Sequence, residues 1–159
     1  MFEVTAKCVI REPLTNRYVL ILESIDGSYF IPINIGVFEA EAIYTELSHI
    51  KSPRPLTYDF FSSVLNNLDD ISIEKIIICE KCDGIFKAKI VLNDHGKTKE
   101  IDCRPSDAVA LGLRLKTSIF VNDEILKDKK CISKDCLNKK DQFLLDHIIT
   151  DQATTYWDV

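Results

Sequence analysis

Short turn signals set between strand-like runs constrain what this chain can fold into more than any other feature. Asp26-Gly27, Asp83-Gly84 and Asn93-Asp94-His95-Gly96 each separate two runs rich in apolar residues. Turns this short bring the chain back beside itself, so the flanking runs pair antiparallel. The first third reads as β-structure. Phe2 to Ile10 alternates apolar and polar residues, Arg11 to Asn16 forms a polar turn, and Tyr18 to Leu22 and Tyr29 to Ile35 follow, with Gly36 closing the segment. Pro32 marks its strand as an edge or a bulge, because it has no N–H to donate. Three further strands are predicted at Ser72 to Cys79, Ile85 to Leu92 and Thr98 to Cys103, and a short one at Ser118 to Val121.

Helical patterns interrupt these runs. Val37 to about His49 has strong helix formers and no breaker. On a helical wheel Ala40, Ile43, Tyr44, Leu47 and Ile50 form one stripe, and Phe38 with Ala42 a second patch; a helix apolar on two sides is sandwiched, in part against another subunit. After Ser52-Pro53-Arg54-Pro55, Phe60, Phe61, Val64, Leu65 and Leu68 mark one buried face of a second helix, with Thr57 as its N-cap and Asp59 in its first turn. A third helix opens at Ser106 and carries Ala108, Val109, Leu111, Gly112 and Leu115. Asp141 to Ile149 is predicted as one more short helix, and Tyr156-Trp157 as a docking end. The fold class is therefore α+β: a mixed, largely antiparallel sheet, three main helices and a short C-terminal helical tail. The expected division is a domain over 1–125 and a polar extension over 126–159.

Composition narrows the function classes. The 159 residues, 46% hydrophobic and 28% charged, suffice for one core without staples. The alternating N-terminus lacks the features of a signal peptide, and no apolar run approaches the roughly 20 residues that span a bilayer, so a cytoplasmic protein without membrane contact is expected. A net charge of −5 argues against a broad electrostatic grip on nucleic acid, while leaving room for a local basic patch or an enzyme that touches one phosphate. The six cysteines read as free thiols, Cys8 and Cys103 as small core residues. Cys79 and Cys82 have zinc-knuckle spacing, but Cys131 and Cys136 are spaced too loosely to complete it, so a structural zinc is not expected. Lys127-Asp128-Lys129-Lys130 reads as a solvated run, and His49, His95 and His147 are not linked by any metal-site spacing.

Two Arg-Pro segments carry the chemistry, Arg54-Pro55-Leu56-Thr57-Tyr58-Asp59 and Arg104-Pro105-Ser106-Asp107. Each Pro favours an extended residue before it, a Ser or Thr then caps a new helix, and an Asp falls in its first turn. A helix N-terminus has unpaired N–H groups and a partial positive charge, and an Arg just upstream adds a planar donor fork, which together make a phosphate corner. The Asp can hold a divalent cation or orient a water. The plain alternative is ordinary capping, with both arginines paired to nearby carboxylates. Glu39 and Glu41 are the other candidates. Two residues apart on a helix they point about 200° from one another, so they cannot share one metal, and a partner must come from elsewhere.

These blocks, with Gly36-Val37-Phe38-Glu39-Ala40-Glu41-Ala42-Ile43 before them and Asp102-Cys103 running into Arg104 to Leu111, resemble the signature blocks of the bifunctional nuclease family over roughly residues 1 to 125. The resemblance implies an α+β domain that self-associates and cleaves DNA and RNA, and it transfers to Glu39, Glu41, Arg54, Thr57, Asp59, Arg104, Ser106 and Asp107. The family commonly has His where this chain has Tyr58; a His can serve as a base near neutral pH, whereas Tyr, with a pKa near 10, is a poor one. The leading expectation is a phosphodiesterase. Asp107, Asp59 and Glu39 would be catalytic, Glu41 and Asp107 would contribute to holding Mg²⁺ or Mn²⁺, and Arg54, Arg104, Thr57 and Ser106 would bind phosphate. The alternative is a non-catalytic, homo-oligomeric binding module built on a structural Arg–carboxylate network.

Overall fold

The computed structural model describes residues 1–11, 16–82, 85–127 and 132–133. Strands β1 (Phe2–Arg11), β2 (Tyr18–Ser24) and β3 (Tyr29–Ile35) form one antiparallel meander, and β4 (Ile71–Cys82), β5 (Ile85–Asp94) and β6 (Lys97–Cys103) form a second. Helices α1 (Val37–Leu47) and α2 (Thr57–Asn66) separate the meanders, and α3 (Pro105–Leu115) follows the second. The short strand β7 (Ile119–Val121) then joins the two, pairing parallel to β4 and antiparallel to β1. With β8 (Ile132–Ser133) on Tyr29 and Phe30, the eight-stranded order is β6-β5-β4-β7-β1-β2-β3-β8. This is the α+β class expected, with one parallel pairing in an otherwise antiparallel sheet. Asp141 to Ile149 and Tyr156-Trp157 lie outside the described residues.

The turns explain the meanders. Asp94 pairs with Lys97, leaving His95 and Gly96 as a two-residue loop with φ of 51° and 80°. Both values are left-handed, as a tight hairpin between twisted strands requires, and Gly adopts that backbone without a Cβ penalty. At Gly27 (φ 71°) the carboxylate of Asp26 accepts from Ser24 Oγ and from the Ser28 N–H and hydroxyl, which fastens the β2–β3 turn. Pro32 sits opposite Ile21 in β3, beyond the two residues that β8 covers. Among the described residues its outer side is an edge, where a missing N–H costs nothing.

One core dominates. Leu20, Leu22, Ile31, Ile33, Ile76, Ile78, Ala88 and Val121 from the sheet meet Ala42, Ile43, Ala108, Val109 and Leu111 from α1 and α3. Each buried Leu or Ile side chain contributes about 2 kcal/mol of transfer free energy. Cys8, Ile21 and Phe30 form a separate cluster. The two clusters follow from one extra residue: the β1–β2 register shifts between Ala6 and Cys8, so Ala6 pairs with core Leu22 while Cys8 pairs with Ile21. A bulge at Lys7 thus changes which face β1 presents.

Two expectations about the helices are corrected. The apolar side of α2 is not buried: Phe60, Phe61 and Val64 are exposed, and only Tyr58 and Leu65 of this helix pack on the core. A wheel locates an apolar arc, but α2 lies beside α3 and β4 and presents a different side to them. On α1, Ala42 is buried with Ala40 and Ile43, while Phe38 is exposed, and Ile50, expected to continue the stripe, lies past the helix end at Leu47 and is exposed.

Candidate functional site at three helix starts

Glu39, Asp59 and Asp107 each occupy the third residue of a helix. In the first turn the backbone N–H groups lack helical partners and the helix end is partially positive, so a carboxylate is favoured there. Only Asp59 uses this position to cap. Its Oδ2 accepts the Leu56 N–H at 2.9 Å, reaching back as the acid of a capping box does. The helical ladder starts at the Leu56 carbonyl, which accepts Phe60 N–H at 2.8 Å. Leu56 is therefore the N-cap and Thr57 the first helical residue, a correction to the expected Thr57 cap. Similarly, α3 opens at Pro105 with Arg104 as N-cap, and Ser106 is buried rather than capping. Proline suits the first helical position because the N–H it lacks would have no partner there.

The other two acids converge on Arg104. Its Nε donates to Asp107 Oδ2 at 2.6 Å and its Nη2 to Asp107 Oδ1 at 2.9 Å, a bidentate fork. The same Nη2 meets Glu39 Oε1 at 2.6 Å. The Tyr58 hydroxyl donates to Asp107 Oδ1 at 2.6 Å, so residues from the starts of α1, α2 and α3 join in one cluster. Gly36 makes room for this. A Cβ on Gly36 would clash with Glu39 Oε2, so the bare backbone lets the carboxylate fold back over the helix start. Arg104 is nonetheless open to solvent, with its side chain 67% exposed against 12% for Glu39.

A second arginine node lies beneath. Arg114, in the last turn of α3, has a side chain only 4% exposed. Its Nε pairs with Asp59 Oδ1, its Nη1 donates to the Ala110 carbonyl at 2.9 Å, and Nη1 and Nη2 both reach the Ala42 carbonyl at 3.3 Å. The guanidinium also sits 5.6 Å from the centre of the Tyr58 ring, close enough for a cation–π contact. Sequence reasoning missed Arg114 because a basic residue in a helix's last turn is ordinary dipole pairing. One signal was present: seven residues beyond Asp107, it falls on the same side of α3 two turns later.

Electrostatics assigns states to these groups. Burial, and then the hydrogen bond to the Asp107 carboxylate, pushes the Tyr58 phenol above its ordinary value, so it remains a donor and cannot act as a base near neutral pH. Burial alone would raise Asp59, but the hydrogen bonds from Arg114 and Leu56 outweigh it and hold the carboxyl below its ordinary value. The Asp107 hydrogen bond raises Arg104 further, leaving a permanent cation.

Glu41, Arg54 and Thr57 are exposed and make no contact with this cluster, and Ser106 lies buried behind it. Among the described residues no three His, Cys, Asp or Glu gather as a metal site. Glu39 and Asp107 approach a common point, which the Arg104 Nη2 occupies. Cys8, Cys79 and Cys103 are free thiols, with Cys8 and Cys103 pushed up to about 11 by burial; Cys131 and Cys136 lie outside the described residues. No helix among the described residues is long and apolar enough to cross a membrane.

The sequence matches the bifunctional nuclease domain over residues 20–134, which include all three helix starts and both arginine nodes. An uncharacterized protein of Mycobacterium tuberculosis (strain H37Rv) is 33% identical over 126 residues, covering 79% of this chain and 74% of that one. Bifunctional nuclease 1 of Oryza sativa subsp. japonica is 25% identical over 130 residues, covering 75% of this chain and 39% of the rice protein. The rice sequence thus extends well beyond the shared region. With most of its length matched, this chain belongs to the bifunctional nuclease domain family.

Proposed function

We propose that this protein is a nuclease that hydrolyses phosphodiester bonds in DNA, RNA or both, and that Arg104 receives the scissile phosphate. The observation that carries the reading is the Arg104 guanidinium, solvent-exposed at the start of α3 yet fixed by carboxylates on two sides. Its Nε and Nη2 are engaged, while Nη1 has no partner among the described residues and is available to a phosphate oxygen. Glu39 holds Arg104 through Oε1, leaving Oε2 to take a proton from an attacking water. As the water oxygen bonds to phosphorus, the bond to the leaving sugar oxygen breaks, and that oxygen takes a proton from solvent. Arg104 stabilises the negative charge that builds on the phosphate in between. Asp107 and the Tyr58 hydroxyl orient Arg104, and Asp59 secures the start of α2. Arg54, exposed ahead of α2, and Thr57, exposed at its first residue, would hold a neighbouring phosphate of the strand.

Three further parts of the reading stand as proposals beside the chemistry: a requirement for Mg²⁺ or Mn²⁺, work in the cytoplasm, and function as a homo-oligomer. The test is cleavage of labelled single-stranded DNA and RNA by the purified protein, with Mg²⁺, with Mn²⁺ and with EDTA. Arg104→Ala and Glu39→Gln should each slow cleavage by about 100-fold; cleavage at the parental rate by both variants sinks the assignment. Equal parental rates with EDTA and with metal sink the metal requirement alone.

A second reading rests on a different observation: every first-turn acid of the three helices already holds an arginine. In that reading the cluster is structural and the protein is a non-catalytic binding module. Retention of an oligonucleotide in a gel-shift assay, with no cleavage under any metal condition, would favour it.

A further inference from the structure

The α2 helix exposes Phe60 (63%), Phe61 (48%) and Val64, and Leu56 and Leu68 extend this apolar surface past both ends. Within the helix these side chains span an arc of about 100° at 100° per residue. Tyr58 and Leu65 lie about 100° round the helix from the centre of this arc and pack on the core. The one charged side chain of α2, Asp59, is paired to Arg114, so the exposed arc carries no charge of its own.

We propose that this face of α2 is a self-association surface, covered in solution by the same face of a second copy of this chain. The proposal gives the homo-oligomer part of the preceding reading a location and does not depend on the chemistry. Two arguments select a second copy. A two-fold contact sets a patch against the same patch of the partner, which a patch of one charge opposes and an uncharged apolar face permits. The area is also suitable. The five side chains expose on the order of 400 Å², within the roughly 300–600 Å² of a monomer's largest and often functional patch, and about the apolar share of a standard interface of roughly 800 Å² per partner. Nucleic acid is a poorer occupant of Phe60, Phe61, Val64 and Leu68, because it needs lysines and arginines to meet its phosphates and α2 has neither; Arg54 precedes the helix.

Sedimentation velocity on the full chain tests this over a range of concentrations. The parent should sediment as a dimer or a higher even oligomer. Phe60→Asp should raise the dissociation constant by at least about 100-fold, as loss of a central aromatic anchor does. Both residues are exposed in the single chain, so Phe61→Ser offers a milder variant should Phe60→Asp fold poorly, with circular dichroism confirming the fold. Phe38→Asp, on α1, should leave the oligomer intact. A parent that is monomeric throughout, or a folded Phe60→Asp that associates as the parent does, overturns the proposal. So does a monomeric parent in which Phe60→Asp instead weakens binding of a labelled oligonucleotide, which would give the face to nucleic acid. Cleavage by the parent is measured separately, so loss of the dimer and loss of the nuclease reading are distinguishable.

Discussion

Arg104 and Arg114 stand ten residues apart on the same helix and hold the same kind of partner, yet they are used in opposite ways. Arg114 is buried, and its fork is spent on Asp59, on the Ala110 carbonyl of its own helix and on the Ala42 carbonyl of α1. Arg104 is exposed, and its two carboxylate partners leave one nitrogen without a contact among the described residues. Tyr58 touches both, with its hydroxyl on Asp107 and its ring against Arg114. A buried cation with full occupancy locks helices together, whereas an exposed cation with one nitrogen unpaired can meet an anion that arrives from solvent. The difference separates a closed node from an open one within one connected network.

The strongest way to break this contrast is to remove Arg114. Arg114→Ala leaves Asp59 without its partner and the Ala42 and Ala110 carbonyls without their donor, and should cost about 3 kcal/mol. That figure is at the low end for a broken buried pair, because Asp59 is 35% exposed and water can reach it. Urea denaturation should show the loss as a lower midpoint with an unchanged slope. Arg104→Ala should do the reverse: cleavage falls by about 100-fold, equal to about 2.7 kcal/mol of transition-state stabilisation, while stability changes by less than about 1 kcal/mol. If the two variants exchange these phenotypes, the division between the nodes is wrong.

Much of this network was legible before any coordinates, and the unread part has a physical cause. Alternation and tight turns are local properties, so the meanders and the approximate places of the helices could be read from nearest neighbours. Glu39, Asp59, Arg104 and Asp107 stood out because acids in first turns and an Arg before a Pro are local patterns too. Partner choice is not local. Arg104 selects an acid three residues away and another 65 residues back, while Arg114 selects one 55 residues back, and only the stacking of α1, α2 and α3 brings them together. The wheel of α2 likewise gave its apolar arc without saying which side the sheet would take. Arg54 and Thr57 belong to the same local pattern as Arg104, but the fold leaves them outside the cluster.

Asp59 sharpens the contrast through pH. Its carboxyl titrates below the ordinary 3.8 in the folded protein, so the unfolded chain takes up the proton first as pH falls. The stabilisation is therefore complete above the ordinary value and is lost as pH drops through the folded one. Asp59→Asn should lower stability by about 1.5 kcal/mol near neutrality. That gap should narrow in thermal melts taken below about pH 4, where the parent's Asp59 also becomes neutral. A gap that stays constant down to the acid limit would mean that the charge of Asp59 does not matter. Tyr58→Phe should cost less, about 1 kcal/mol, because it removes one hydrogen bond while the ring stays over Arg114.

Gly36→Ala should have the smallest effect on stability and is the most selective test of the exposed node. At Gly36 the backbone has φ −78° and ψ 165°, an extended conformation that alanine adopts without strain. The added Cβ meets only the end of the flexible Glu39 side chain, which can swing aside. Stability should therefore change by about 0.5 kcal/mol or less. Displacing that carboxylate, however, removes one of the two acids that fix Arg104. If Glu39 also accepts the proton from water, Gly36→Ala should lower kcat while leaving KM near the parental value, since phosphate binding by Arg104 persists. The Arg114 node should be unaffected, so the acid part of the melting profile should superimpose on that of the parent. A Gly36→Ala protein that melts early would show instead that Glu39 and Arg104 carry the fold, and the exposed node would then belong with the buried one.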